Sequence, residues 1–288
     1  MSENNLAPFC FLNVYKPKGI TSFDVIYKLR KHLKIKKIGH SGTLDPLADG
    51  VMQVGIGNTS RLIEYLNSNK TYVAEIQFGY TSTTLDMEGE ITKLEEISFS
   101  KNDLEETIKK FIGKITQVPP KFSAIKINGQ KLCDIARKNP EKEIEIPERE
   151  VEIYQIKLVD FKINKATIEV SCSKGTYIRT LASDIAKNLN TDAYLTKLTR
   201  TKAGNFELKN SINIEDVDIK KDGINPIDAL ELEKYYLDDI EFNLVKNGVA
   251  ISPKEEIKTE IIMLIYNNKL VSIGNFIDNK IKIKKYFN

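Results

Sequence analysis

The chain divides into alternating and helical runs of apolar positions that do not follow one another in a fixed order. Residues 9–15 read as a strand. Ser22 is placed to cap a helix that carries Val25, Ile26, Leu29 and Leu33 on one face. A second strand is expected over 51–56, followed by a helix through Arg61 to Leu66, and Tyr72, Ala74, Ile76 and Phe78 alternate as on a half-buried strand. Leu104, Ile108, Phe111 and Ile112 return to helical spacing, residues 151–161 and 167–172 to strands, and Ile178, Leu181, Ile185 and Leu189 stripe a further helix. Strands and helices mix without the regular βα alternation of a doubly wound sheet, which predicts an α+β architecture with a largely antiparallel sheet. Periodicity fades between 210 and 228 around Lys220-Lys221-Asp222-Gly223. Beyond it, Ile261–Tyr266, 270–273 and Lys280–Tyr286 read as short strands joined by Asn-rich turns such as Asn267-Asn268. The expected division is 1–233 and 234–288, the second unit being too small for a robust core of its own.

Composition narrows the chemistry. The 288 residues, 41% hydrophobic, contain no apolar run near the roughly 20 residues needed to cross a bilayer. Met1-Ser2-Glu3-Asn4-Asn5 lacks the basic-then-apolar pattern of a signal peptide, so no membrane role and a cytoplasmic location are expected. Cys10, Cys133 and Cys172 are odd in number, widely spaced, and read as buried small residues. His32 and His40 have no second ligand at metal spacing, so neither a disulfide framework nor a metal site is expected. The net charge of +3 is unremarkable, but its distribution is not. Lys16, Lys18, Lys28, Arg30, Lys31, Lys34, Lys36 and Lys37 face one acid, Asp24, and run directly into the segment that follows. Lys174, Arg179, Lys197, Arg200 and Lys202 form a second basic region. A polyanion such as RNA would suit both, although 28–37 alone also reads as a solvated helix face.

That segment is Gly39-His40-Ser41-Gly42-Thr43-Leu44-Asp45-Pro46-Leu47-Ala48-Asp49-Gly50. Its glycines and Pro46 suggest a stiff loop that presents Asp45, although Asp before Pro also starts ordinary turns. The later Ser173-Lys174-Gly175-Thr176-Tyr177-Ile178-Arg179 can supply a cation to keep such a carboxylate ionised and aimed. Val54-Gly55-Ile56-Gly57-Asn58-Thr59-Ser60 has the opening of a dinucleotide fingerprint, but Ser60 takes the third glycine position and no parallel βαβ run surrounds it. It reads as a tight strand-to-helix turn. Taken alone, Tyr72 is a core tyrosine with its hydroxyl at the rim, Arg179 a surface arginine and Lys126 a loop cation.

Together these motifs resemble the TruB family of tRNA pseudouridine synthases. The Asp45 segment is similar to the family's catalytic motif, and Lys16-Pro17-Lys18-Gly19-Ile20-Thr21-Ser22 to its N-terminal one. Lys70-Thr71-Tyr72, Ser123-Ala124-Ile125-Lys126, Cys172 through Thr180, and Leu195 through Thr201 follow in the family's order. Asp49 and Tyr194 depart from it, standing where a Thr and an Ala-His pair are usual. The resemblance implies a pseudouridine synthase fold, with a central, mainly antiparallel mixed sheet flanked by helices and a small β-rich PUA-like domain at the C-terminus. It implies isomerisation of uridine to pseudouridine at position 55 in the T-loop of tRNA, without cofactor, metal or obligate protein partner. Asp45 would be catalytic, attacking C1′ or abstracting a proton at C2′. Arg179 would pair with it, Tyr72 would stack on the flipped uracil, Tyr177 and Leu198 would wall the pocket, and His40 would fill the space the base leaves. Lys16, Lys18 and Lys126 would contact phosphates. A binding-only RNA-folding protein and a guide-dependent relative remain the alternatives.

Overall fold

The computed structural model describes residues 9–94, 96–127, 129–138 and 144–287, so Met1 to Asn5 lie outside it. A nine-stranded sheet forms the body. Its strands in chain order are β1 (Cys10–Lys16), β2 (Ile38–His40), β3 (Asp49–Ile56), β4 (Lys70–Phe78), β5 (Gly113–Gln117), β6 (Arg149–Lys162), β7 (Lys165–Cys172), β8 (Ala193–Ala203) and β9 (Phe206–Glu207). They lie in the order β1-β3-β8-β4-β7-β6-β5, with β2 added to β3 and β9 to β8. Every pairing is antiparallel except β3 with β8, where Asp49 faces Thr199 and Gly50 faces Arg200. The expected mixed, mainly antiparallel α+β sheet is therefore present. β8 is its one long strand that the apolar pattern does not reveal.

Three helices cover the sheet. α1 (Ser22–Leu33) buries Val25, Ile26 and Leu29 against β1 and β3. Its cap is Thr21 rather than the expected Ser22: Thr21 and Asp24 form a reciprocal capping box, which frees Ser22 to turn inward. α2 (Lys101–Lys109) stops before Phe111 and Ile112; Phe111 still packs on the core, while Ile112 is exposed. α3 (Ile178–Lys187) lays Ile178, Leu181 and Ile185 onto the core formed with Tyr72, Ala74 and Ile76 of β4. The helix expected through Arg61 is a 3₁₀ helix, Gly57–Tyr65. Gly55 precedes it because a Cβ there would lie 3.0 Å from the Ser60 backbone, and β3 is antiparallel to both β1 and β2. The segment is thus a tight turn with no dinucleotide-binding unit around it.

A four-stranded sheet, β10 (Glu233–Tyr236), β11 (Ile261–Tyr266), β12 (Lys269–Ile277) and β13 (Lys280–Tyr286), follows in that order. It leans on the body through a shared core in which Phe11, Val51 and Phe206 meet Met263, Ile265, Ile273 and Phe287. Cys10 and Cys172 are buried as expected, whereas Cys133 is only half-buried. No helix among the described residues is long and apolar enough to cross a membrane.

The parallel contact between β3 and β8 sets the end of the Asp45 loop. Gly50 has φ +114°, and a Cβ there would run into the Arg200 carbonyl. Gly50→Ala should therefore cost about 3 kcal/mol of unfolding free energy, read as a lower urea midpoint with an unchanged slope.

Candidate active site

The loop between β2 and β3 is fastened from several directions. Ser22 Oγ donates to the Leu44 carbonyl (3.1 Å) and accepts from the Leu44 amide (2.8 Å). Gly19 N–H donates to the Pro46 carbonyl at 2.8 Å, and Lys16 Nζ to the Ala48 carbonyl at 2.6 Å. The N-terminal motif thus grips the loop instead of reaching outward. Lys16, expected on a phosphate, is 0% exposed, and burial lowers its amine to about 8. A cation enclosed in this way cannot meet RNA. The loop also contains the ordinary turn, since the Ala48 amide donates to the Asp45 carbonyl at 3.0 Å.

Asp45 is held by Arg179, whose Nη2 lies 2.9 Å from its Oδ2. The guanidinium is itself enclosed, and Arg179 is 3% exposed. It donates to the carbonyls of Thr84 and Phe122 at 2.9 Å each, and its Nη1 lies 3.2 Å from Oδ2 of Asp86. Asp86 is buried and accepts from the Thr84 hydroxyl (2.5 Å) and the Glu88 amide (3.0 Å). One arginine therefore serves two carboxylates. Sequence reasoning missed Asp86. It lies in an acidic, polar loop between the short strands Tyr80–Ser82 and Ile91–Lys93, and no periodicity marks it. Burial and the nearby Asp86 push the Asp45 carboxyl upward, while Arg179 and Lys16 pull it down. The net direction is upward, so Arg179 aims the group and only partly offsets its burial.

Asp45, Tyr72, Tyr177, Arg179 and Leu198 line one cleft of about 360 Å³, large enough for a small ligand. Tyr72 comes from β4, where burial raises its hydroxyl against the opposing effect of Arg200. Gln117 fixes Tyr177 through both backbone groups, accepting from its amide at 3.0 Å and donating to its carbonyl at 3.3 Å. The Arg149 guanidinium sits 5.5 Å from the Tyr177 ring centre. Leu198 closes the wall from β8. His40 ends β2 and does not line the cleft; its imidazole is lowered by burial and its Nδ1 has no partner among the described residues. Lys18 and Lys126 are exposed outside the cleft, which Ser123, Ala124 and Ile125 reach instead. Asp49 begins β3 and also lies outside. Among the described residues no group of His, Cys, Asp and Glu is arranged to hold a metal.

The family model described as TruB family pseudouridylate synthase (N terminal domain) matches residues 30–178. The chain belongs to the TruB family. It is 44% identical to tRNA pseudouridine synthase B of Fusobacterium nucleatum over 283 residues, covering 95% of this chain and 98% of the relative. Identity to tRNA pseudouridine synthase B of Clostridium acetobutylicum is 40% over 284 residues, with 95% and 98% covered. A chain of the solved Cbf5-Nop10-Gar1 complex superimposes with a TM-score of 0.71 at 23% identity, over 98% of this chain and 85% of that one. At that identity the likeness shows the fold alone, a pseudouridine synthase fold. TruB membership carries the reaction class, an isomerisation by a pseudouridine synthase.

Asp86→Asn removes the like charge that pushes Asp45 upward and leaves Arg179 to Asp45. A reaction that needs the Asp45 carboxylate rises with pH through that group's pKa. The acidic limb of kcat/KM should therefore lie above the ordinary carboxylate value in the parent protein and move to lower pH in the variant. The maximum rate should fall by up to about 100-fold as Arg179 loses its second anchor. A pH–rate series on both proteins checks the shift.

Proposed function

We propose that this enzyme converts uridine to pseudouridine at position 55 in the T-loop of tRNA, with Asp45 as its catalytic residue. The observation that carries the reading is a single half-exposed carboxylate, aimed by a buried arginine, facing a tyrosine across a cleft that leucine and tyrosine wall off. The isomerisation breaks the bond from N1 of uracil to C1′, turns the base, and joins C5 to C1′, with the C5 proton leaving and N1 gaining one. An anionic group within reach of the sugar is the minimum requirement, and Asp45 supplies it either as nucleophile at C1′ or as base at C2′. The base must first leave the stack, which costs a few kcal/mol. Tyr72 offers it a flat surface, and Tyr177 and Leu198 exclude water so that free uracil is not lost. No cofactor enters this scheme.

The substrate is the T-arm stem-loop. Lys18, Lys126 and the exposed Lys36 and Lys37 would position its backbone, while His40, one residue before the cleft-lining Ser41, would follow the base outward. The unit 234–288 would act as a PUA-like RNA-binding domain appended to the catalytic unit 1–233. The relatives from Fusobacterium and Clostridium carry names that state tRNA as their substrate, and bacterial tRNA modification fits a cytoplasmic enzyme.

Asp45→Asn should abolish pseudouridine formation while RNA affinity changes less than about threefold, because the substitution removes a charge and little volume. Tritium release from RNA labelled at uridine C5 tests this; release at the parent rate would remove Asp45 from the chemistry. Lys36→Gln with Lys37→Gln should weaken stem-loop binding and make the slope of log K against log salt shallower by about two. An unchanged slope would put the RNA on another face.

A further inference from the structure

The cleft has a second charged end, away from the carboxylates. Gly42 marks it: the place a Cβ would occupy lies 3.6 Å from Lys70 Nζ and 3.8 Å from Arg200 Nη1. Two cations from adjacent strands thus converge on backbone that carries no side chain. Lys174 lines the same wall. Among the described residues, none of the three pairs with a carboxylate. Lys70 Nζ donates to the Ser68 carbonyl at 3.1 Å. Arg200 is 1% exposed, donates to the carbonyls of Val51 (2.7 Å) and Gly42 (3.2 Å), and lies behind the cleft wall beside the Tyr72 hydroxyl, so it acts on the cleft through its charge and not by contact.

The neighbouring titratable groups do not supply the missing anion. Burial pushes the Cys172 thiol up to about 11 and raises the Tyr72 hydroxyl, so both are neutral at neutral pH. Burial also lowers the His40 imidazole. Burial first, and then the nearby Arg200 and Lys174, lower the Lys70 amine to about 8. Buried cations are kept in proteins when something pairs with them. Arg200 has its two carbonyls, whereas half-buried Lys70 turns its open side to the substrate cleft.

We propose that Lys70, with Lys174 at the rim and the enclosed charge of Arg200 behind it, forms a seat for one phosphodiester of the extruded nucleotide, beside the Tyr72 surface that receives its base. The inference rests on the RNA-modifying reading above. It assigns a positioning role to residues that neither touch the reacting atoms nor belong to the Asp45 network. The two lysine ammonium groups present several donors to non-bridging phosphate oxygens, and the missing Cβ of Gly42 lets the RNA backbone approach Lys70.

The test uses an unmodified T-arm stem-loop and two versions carrying one neutral methylphosphonate linkage, on the 5′ or the 3′ side of the target uridine. In the parent enzyme, one of the two should raise KM about tenfold, the loss of one charge-assisted contact. Lys70→Gln should raise KM on the all-phosphate RNA by a similar factor with a much smaller change in kcat, and should show little added loss on that same methylphosphonate RNA. Lys70→Arg should recover most of the affinity. Gly42→Ala crowds Lys70 Cε, which lies 3.3 Å from the new Cβ, and should raise KM without removing a donor. The proposal is overturned if neither methylphosphonate affects the parent KM, if the Lys70→Gln and methylphosphonate penalties multiply, or if Lys70→Gln changes kcat alone. A parent enzyme that leaves the unmodified stem-loop unaltered would instead overturn the substrate reading beneath it.

Discussion

The site depends on one buried guanidinium. Arg179 enters from the first turn of α3 and ties together the Asp45 loop, the Asp86 loop and the Phe122 carbonyl. Removing one partner from a buried ion pair costs about 3–5 kcal/mol, because the remaining charge is left unpaired in a poor solvent for ions. That penalty makes the three segments move as a unit. It explains how the Asp45 carboxylate can sit on an irregular loop and still be fixed in place. The same arrangement sets the carboxylate's acidity, since the second acid that anchors the arginine also raises Asp45.

The cations separate into classes by burial, and burial decides what each can do. Lys18, Lys36, Lys37 and Lys126 are exposed and keep their hydration, so the pull they exert on any polyanion is long-range and screened by salt. Lys16 has surrendered its hydration to the Ala48 and Pro17 carbonyls and serves the loop. Arg200 is equally enclosed and acts on the cleft only through its charge, from behind the wall. A motif rich in lysine therefore has two different functions within three residues: Lys16 points in and Lys18 points out.

Strand β8 links the second cation group to the sheet. Its parallel contact with β3 places Arg200 behind Gly42 and Gly50, and its antiparallel contact with β4 places it beside Tyr72. Gly50 alone in the loop needs a positive φ; Gly39 and Gly42 instead allow close approach by Ile63 and by Lys70 and Arg200. The loop is stiff because of what surrounds it, more than because of the conformations of its glycines.

What the sequence by itself determined was whatever is local or ordered along the chain. Period-two and helical spacing mark β4, β7 and α3 because those elements have one buried face, and the succession of motifs around Asp45, Tyr72 and Arg179 identifies the family. β8 was not legible, because Lys197, Arg200 and Lys202 interrupt its apolar pattern. The sequence does not say that Arg200 is buried by its neighbours. The cap moved from Ser22 to Thr21 because Ser22 was needed by Leu44, twenty-two residues away. Only the tertiary structure decided that Asp86 shares the arginine, that Lys16 faces inward, and that Lys70 and Arg200 meet at Gly42. Each of these is a contact between segments far apart in sequence, where the cost of burying a charge is settled by which partners the fold brings to it.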